Sequence, residues 1–209
     1  MKTYLVALMM LFAVPFVDAQ KVISLPAPQT DGGMPLMKAL KNRQTNREFS
    51  EKKLTDQQLS NLLWAADGIN RADLKKRTAP SAMNYQEVDI YVAMENGLFL
   101  YNAEKQQLDQ LSGEDIRAKT GIQDFVAKAP VNIVYVADYS KMAKAEESTK
   151  DSYAMADAAF ISENVYLFCA SEGLNTGVRA WIDKDNLGKA MKLKPVQHIL
   201  LAQSVGYPK

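Results

Sequence analysis

The segment that most constrains the fold of this chain runs from Asp151 to Glu172. Its Ala, Met, Leu and Phe content predicts one long helix, and apolar side chains occur on nearly all sides of that helix. A helix that is apolar all round is buried, either in a large core or against a second subunit. Because a single domain within a chain of 209 residues has little room for a central helix, we expect this long buried helix to lie at a homodimer interface.

The first nineteen residues are predicted to be a signal peptide and are set aside from the fold. Lys2 gives a positive start, and residues 5–14 form an apolar run that is too short to span a bilayer. Val17 and Ala19 are small residues at the −3 and −1 positions of a cleavage site before Gln20. We therefore expect export to the periplasm, with no stable membrane insertion after cleavage. The alternative is a buried N-terminal helix.

Composition excludes several kinds of partner and site. The chain has 25 Lys and Arg against 24 Asp and Glu, a net charge of +1, which gives no reason to expect nucleic acid or a membrane surface. Cys169 is the single cysteine, so an intramolecular disulfide and a cysteine-rich metal site are excluded, and its apolar neighbours predict a core position. His198 is the single histidine, so neither a metal site nor a histidine-based triad is predicted.

The rest of the chain predicts one domain of helices and strands. Residues 20–34 contain prolines and glycines and read as an extended lead-in, followed by a domain over residues 35–209. A short helix is predicted from Pro35 to Lys41. A second is predicted after Thr55, which forms a capping box with Gln58, and it ends at Gly68.

The strand signals follow in the second half of the domain. Apolar residues alternate from Glu87 to Met94, and a hairpin turn at residues 96–97 returns the chain as a partner strand over 98–102. Residues 113–128 predict two short helical pieces, and further strands are predicted over 131–137 and 196–205. A hairpin mixed with helices and isolated strands indicates the α+β class rather than a regular series of parallel strands and helices.

Four segments carry side chains or backbone suited to a bound ligand. Two cations, a hydroxyl and amides occur together in Arg43-Gln44-Thr45-Asn46-Arg47, which suits a phosphate and a polar ring edge. The other segments are the turn over residues 80–86, the glycine-containing stretch over 172–181 and the C-terminal residues 205–209. Each has an ordinary interpretation as well, as a solvated loop, a turn before a strand, a helix end and a chain terminus.

Taken in order, these segments resemble the FMN-dependent nitroreductase family, and more closely its thiazole- and oxazole-forming dehydrogenase-like branch. The resemblance rests on Arg43-x-Thr45-x-Arg47-x-Phe49, on residues 62–71, on Arg77-x-x-Pro80-Ser81-Ala82-x-Asn84 and on Val205-Gly206-Tyr207-Pro208. It covers residues 35–209 and implies a mixed sheet flanked by helices.

The resemblance also implies a role for each segment. It places Arg43 and Thr45 on the FMN phosphate and ribityl chain with Gln44 beside them. Arg47 would lie near N1 and O2 of the flavin, where it would act as the catalytic residue by stabilising the reduced ring. The remaining cofactor-binding residues that it implies are Pro80, Ser81, Ala82 and Asn84, which reach the flavin of the other subunit, Arg179 and Ala180, whose backbone faces N5 and O4, and Lys209 at the phosphate.

The function that follows is an FMN-dependent oxidoreductase working by a ping-pong mechanism. Hydride passes through flavin N5 to or from a small organic substrate, with NAD(P)H as a possible electron donor. An alternative is a non-catalytic exported flavin-binding module, a carrier or sensor, because nicotinamide donors are scarce outside the cytoplasm. A third possibility keeps the enzyme and reverses its direction, so that it oxidises an azoline-like heterocycle.

Overall fold

The computed structural model describes residues 21–209, and the predicted signal peptide lies outside the described residues. Nine strands and four α-helices form in this part of the chain. The strands are β1 Val22–Ser24, β2 Ile69–Arg71, β3 Lys76–Arg77, β4 Val88–Met94, β5 Gly97–Asn102, β6 Gln107–Ser112, β7 Val131–Asp138, β8 Asn175–Arg179 and β9 Gln197–Gly206. The helices are α1 Leu36–Asn42, α2 Asp56–Asp67, α3 Glu147–Glu172 and α4 Lys184–Met191.

Seven of the strands form one sheet in the order β1-β6-β5-β4-β7-β9-β8, and β2 and β3 form a separate ribbon. Every neighbouring pair in the large sheet is antiparallel. The predicted α+β class is therefore confirmed, and the sheet itself is antiparallel at each pairing. The strand β8 lies at one edge, where only β9 pairs with it.

Helices cover both faces of the sheet because successive strand residues point to opposite sides. Ile133 and Tyr135 of β7 pack in the core cluster that contains α2 and α3. Val134 and Val136, which alternate with them, pack in the cluster that contains Leu187 of α4. The single domain thus has a helical layer on each side of its sheet.

Helix α2 begins and ends as the sequence predicts. The Thr55 hydroxyl accepts a hydrogen bond from the Gln58 backbone N–H at 3.2 Å, and the Gln58 side chain accepts one from the Thr55 backbone N–H at 3.1 Å. This reciprocal pair satisfies two N–H groups that the first turn leaves without helical partners. Gly68 is the C-cap, so the predicted bounds of this helix are confirmed.

Helix α3 starts at Glu147, four residues before the predicted start, and ends at Gly173, whose φ of 69° is a left-handed conformation that glycine adopts readily. One side of the helix is buried in the domain, and Cys169 lies there as predicted. The opposite side carries Tyr153 and Phe160, which are 38% and 49% exposed. The apolar surface of α3 therefore exceeds what one copy of the chain covers.

The elements that the sequence did not predict include β6, β8, α4 and the short strands β1, β2 and β3. The strand β8 contains Asn175, Thr176 and Gly177, which are common in turns, and the sequence was interpreted as a helix end followed by a loop. Its strand conformation comes from pairing with β9, a contact between distant parts of the chain. Within residues 21–209, none of the helices has the length and apolar character needed to cross a membrane.

Candidate active site

The segment 43–48 lies along the open edge of β8. Its Asn46 backbone N–H donates to the Thr176 carbonyl at 2.9 Å, and the Asn175 side chain donates to the Glu48 carbonyl at 2.6 Å. Gly177 favours this approach, because a Cβ atom there would lie 3.3 Å from Cγ2 of Thr45, closer than an ordinary contact. The missing side chain in β8 thus allows the predicted cofactor segment to pack against the strand.

Arg43 and Thr45 meet at one tyrosine of α3. The Thr45 hydroxyl is 2.8 Å from the Tyr166 hydroxyl, and the Arg43 guanidinium lies over the Tyr166 ring, 5.2 Å from its centroid. The Val178 backbone N–H also donates to the Tyr166 hydroxyl, at 3.0 Å. One tyrosine therefore joins the segment, the edge strand and the long helix.

Arg47 and Arg179 lie near the same aromatic ring. Their guanidinium carbons are 5.9 Å and 5.7 Å from the centroid of Phe125. Arg179 is buried, and its burial together with the charge of Arg47 lowers the Arg179 pKa to about 10. Sequence reasoning considered only the backbone at this position. The aliphatic stem of an arginine in a strand can pack in a core, and that was the available signal. Burial of the Arg179 guanidinium was not predicted.

Arg43, Arg47 and Arg179 have no carboxylate partner in the part of the chain that the structure describes. The ion pairs between residues 21 and 209 involve other cations, such as Arg77 with Asp67. Cations that a protein brings together without anions favour a bound anion. The donor set therefore fits a phosphate or another anionic group.

Two cavities open beside the segment. The larger, about 1570 Å³, is lined by Arg47, Phe125 and Lys209 among other residues. The smaller, about 640 Å³, is lined by Arg43 and Gln44. Lys209 is thus placed with Arg47 and not in the cavity of Arg43, although the resemblance assigns both Lys209 and Arg43 to the phosphate.

The turn over residues 80–84 is held at its backbone. The Ala82 N–H donates to the Asp157 carboxylate of α3 at 2.8 Å, and the Ser81 hydroxyl accepts from the Gln86 N–H at 2.8 Å. Met83 and Asn84 have φ values of 49° and 58°, in the left-handed region that is unfavourable for side chains other than glycine. The turn is therefore kept in an uncommon conformation, a feature that is frequent at functional sites.

A buried pair of acids lies beneath this turn. Glu87 is fully buried, its Oε2 accepts from the Ser81 hydroxyl at 3.3 Å, and its Oε1 has no hydrogen-bond partner. Burial, together with the negative charge of Asp157, raises the pKa of Glu87 to about 7. The sequence analysis did not bring Glu87 and Asp157 together, because they are 70 positions apart in the chain (157 − 87). An acid at the start of an apolar strand was the available signal.

Within one copy of the chain, the two predicted cofactor regions contact α3 at different places. Asp157, which holds the turn, and Tyr166, which holds Arg43 and Thr45, are nine residues apart in the helix. That spacing is about 14 Å along the axis, with the two residues on opposite flanks. Ala180 and Pro80 are exposed. A single copy therefore holds Arg43 and Thr45 at Tyr166 and holds Arg47 and Arg179 at Phe125. The turn remains a separate group.

A sequence model described as the nitroreductase family matches residues 40–207, which is most of the chain. The chain belongs to the nitroreductase family. A nitroreductase-like protein of Methanocaldococcus jannaschii is 28% identical over 175 residues, covering 78% of this chain and 86% of that protein. A nitroreductase-like protein of Ralstonia eutropha JMP134 has a crystal structure with a TM-score of 0.87 and 39% identity, covering 90% of each chain.

The fold is also shared with the NADPH:FMN oxidoreductase of Vibrio harveyi, solved in complex with NAD⁺. That comparison has a TM-score of 0.63 at 18% identity, covering 83% of this chain and 69% of the other. Family membership makes this protein an oxidoreductase of the nitroreductase type. In the described residues of this nitroreductase, no group of three or more His, Cys, Asp and Glu side chains is placed to hold a metal.

Proposed function

We propose that this nitroreductase is an FMN-dependent oxidoreductase and that FMN binds at the segment 43–48. The observation that carries the proposal is that three arginines near the edge strand β8, Arg43, Arg47 and Arg179, form no ion pair with a carboxylate of residues 21–209. FMN carries a phosphate and a ring that becomes more negative on reduction. The Vibrio harveyi protein of the same fold is named for FMN and NADPH, which supports the same cofactor and donor here.

When bound, FMN supplies a two-electron carrier that accepts hydride from one substrate and passes it to a second in the same cleft. The residues of this chain bind and orient it. Arg43 and Thr45 are exposed enough to contact the phosphate and ribityl chain while Tyr166 fixes their position. Arg47 is the catalytic residue of the proposal, because a cation beside the ring stabilises negative charge that develops on reduction.

The proposed assembly is a homodimer with FMN bound across the interface. Exposed apolar side chains occur on α3 and also on α1, where Leu36 and Met37 are 63% and 77% exposed. Exposed apolar surface of this extent marks an interaction surface in soluble proteins. A second copy can cover it and bring its own turn 80–84 toward the segment 43–48, which completes the group that one copy leaves divided.

The direct test is titration of the purified apoprotein with FMN, followed by anaerobic addition of NADH or NADPH. We expect one FMN per chain, measured by absorbance after gel filtration, and bleaching of the flavin by a nicotinamide donor. A protein that takes up no FMN would refute the proposal. FMN uptake without bleaching by either donor would instead favour the non-catalytic carrier or sensor.

We also propose that the mature protein begins at Gln20 and works in the periplasm, on the basis of the predicted signal peptide. N-terminal sequencing of protein from the native cell tests this, and retention of Met1 on cytoplasmic protein would contradict it. The likeness to the thiazole- and oxazole-forming branch rests on the same sequence motifs. Reduction of the flavin by a small azoline, in the absence of nicotinamide, would support that direction of reaction.

A further inference from the structure

The buried charge of Arg179 is the feature of the site that the roles assigned to Arg43 and Arg47 leave unused. We propose that Arg179 is a positioning residue that strengthens binding of the reduced cofactor over the oxidised one, by holding a buried positive charge beside Arg47. In this proposal the guanidinium acts through space, by its charge, and not by a hydrogen bond to the ligand. The inference rests on the proposed FMN function.

The strand geometry directs this charge toward the site. Residues two apart in a strand share a face, so Arg179 projects from β8 on the same side as Gly177. A Cβ atom at Gly177 would lie 3.5 Å from Cγ of Arg47, which places the Arg47 stem against that side. Phe125 lies close to both guanidinium groups. The two charges therefore belong to one site.

The partners of Arg179 fix its position without neutralising it. Its guanidinium donates to the Thr120 carbonyl and hydroxyl, to the Asn132 side-chain oxygen and to the Ser204 hydroxyl, at 2.8–3.2 Å. All of these acceptors are neutral. Burial of a charge without a counter-charge is unfavourable for folding, and a buried arginine is ordinarily paired with a carboxylate. This site contains the hydrogen bonds of such a pair but not its negative charge.

The surrounding chain leaves space for the guanidinium. A Cβ atom at Gly121 would lie 2.5 Å from Nε and 3.1 Å from Cδ of Arg179, so glycine is required for the side chain to pass. Positive charge that is fixed in advance near a group that gains negative charge needs no rearrangement during reaction. Arg179 meets that description, because the groups that accept its hydrogen bonds all belong to the chain itself.

A purely structural role is the competing explanation, in which Arg179 only ties residues 117–127 to the sheet. Two kinds of substitution separate the roles. Arg179→Lys keeps the charge and loses hydrogen bonds, whereas Arg179→Gln loses the charge. Asn132→Asp keeps the arginine and its bond at 3.0 Å and places a carboxylate beside the guanidinium, which neutralises the charge. It also loses the bond from the Asn132 side-chain N–H to the Val126 carbonyl, so its thermal midpoint is measured together with its potential.

The measurement is the midpoint potential of bound FMN relative to free FMN, which gives the ratio of affinities for reduced and oxidised cofactor. At a separation of about 10 Å and an effective dielectric constant of about 20, one charge changes this ratio about tenfold. We expect Arg179→Gln and Asn132→Asp each to lower the preference for reduced FMN about tenfold. Arg179→Lys should retain most of it, although its thermal midpoint falls.

A structural role predicts a different pattern. Asn132→Asp would then leave the potential unchanged, and the two Arg179 variants would behave alike; either result overturns the inference. If Arg179→Gln does not fold, Asn132→Asp decides the question alone. Wild-type protein that binds no FMN overturns the proposed function and the inference with it, whereas FMN binding with an unchanged potential in Asn132→Asp overturns the inference alone.

Discussion

The segment 43–48 and the turn 80–84 are both held against α3, but their charges are opposite. The segment carries Arg43 and Arg47, and Arg47 lies near buried Arg179 at Phe125. None of these three arginines pairs with an acid of residues 21–209. The turn lies over two buried acids, Glu87 and Asp157. Among the described residues, no cation forms an ion pair with either acid. The first region is arranged to receive negative charge, and the second keeps its own negative charge low by retaining a proton.

Because of this difference, we expect the properties of the two regions to depend on different conditions. The arginine region should respond to the charge of its ligand, while the acid region should respond to pH. Both contain ionisable groups without a counter-charge, an arrangement that is unfavourable for folding and is common where a protein binds or reacts. Each of the following changes alters one region while the other serves as a reference.

The largest effect is expected for Gly121→Ala, which disrupts the packing around Arg179 in the region of Arg43, Arg47 and Arg179. The new Cβ would meet Arg179 at 2.5 Å, so the guanidinium must move and lose hydrogen bonds in a buried place. We expect a loss of about 2–4 kcal/mol in the free energy of unfolding, measured by urea denaturation. Gly113→Ala is the matched control, because nothing lies within 4 Å of its added Cβ. Equal stability of the two variants would contradict the packing around Arg179.

The acid region is tested by the pH dependence of stability. Because burial raises the pKa of Glu87 from 4.5 to about 7, the folded chain retains a proton that the unfolded chain releases. Stability therefore falls as pH rises from about 4.5 to 7, by about 1.4 kcal/mol for each pH unit. We expect Glu87→Gln to flatten this profile. Burial also raises the pKa of Asp67 to about 7, so a part of the slope remains.

The control for this experiment is Glu163→Gln on the exposed side of α3. It should leave the profile of the wild-type protein unchanged. A Glu87→Gln variant whose stability still falls as steeply as that of wild type would show that the pair does not hold a proton in this pH range.

A smaller effect, on the affinities for oxidised and reduced FMN, should distinguish the role of Arg43 from that of Arg47. Loss of a charged hydrogen bond to the phosphate in Arg43→Ala should weaken binding of oxidised FMN by about 1.5–3 kcal/mol. Arg47→Ala should weaken binding of the reduced form more than that of the oxidised form. Flavin titrations and midpoint potentials measure both quantities, with the exposed Lys38→Ala as control. Equal effects of the two substitutions on both quantities would refute the assigned roles.

The smallest effect is expected for Tyr166→Phe, which removes one hydroxyl between Thr45 and the Val178 N–H. The free energy of unfolding should fall by about 0.5–1.5 kcal/mol, the net value of a hydrogen bond in a protein. Tyr153→Phe on the exposed side of the same helix is the control. A loss no larger than that of the control would show that solvent replaces the Tyr166 hydroxyl.

The sequence predicted features that depend on near neighbours. The capping box of Thr55 and Gln58 and the β4–β5 hairpin follow from residues a few positions apart, and both are present. Prediction from the sequence failed where distant parts of the chain meet. The strand β8 forms because β9 pairs with it, and the Glu87–Asp157 pair joins a strand entrance to a helix.

The same distinction between local and distant contacts applies to the candidate site. A motif spacing predicted Arg43, Thr45 and Arg47 as a group, and they lie on one segment. The side chain of Arg179 joins that group through Thr120, Asn132 and Ser204, three residues from separate parts of the chain. No local pattern around Arg179 predicts such a set of acceptors.

The segment 43–48 has a second consequence through its position on β8. An unpaired edge strand is a template onto which another chain can add a strand, and natural proteins cover or interrupt such edges to stay dispersed. Here the Asn46 N–H occupies the Thr176 carbonyl and the Tyr166 hydroxyl occupies the Val178 N–H. The segment that is proposed to bind a cofactor therefore also helps to cover the edge of β8 and to oppose aggregation through that edge. Mutations that loosen this segment should reduce solubility even in the absence of a ligand.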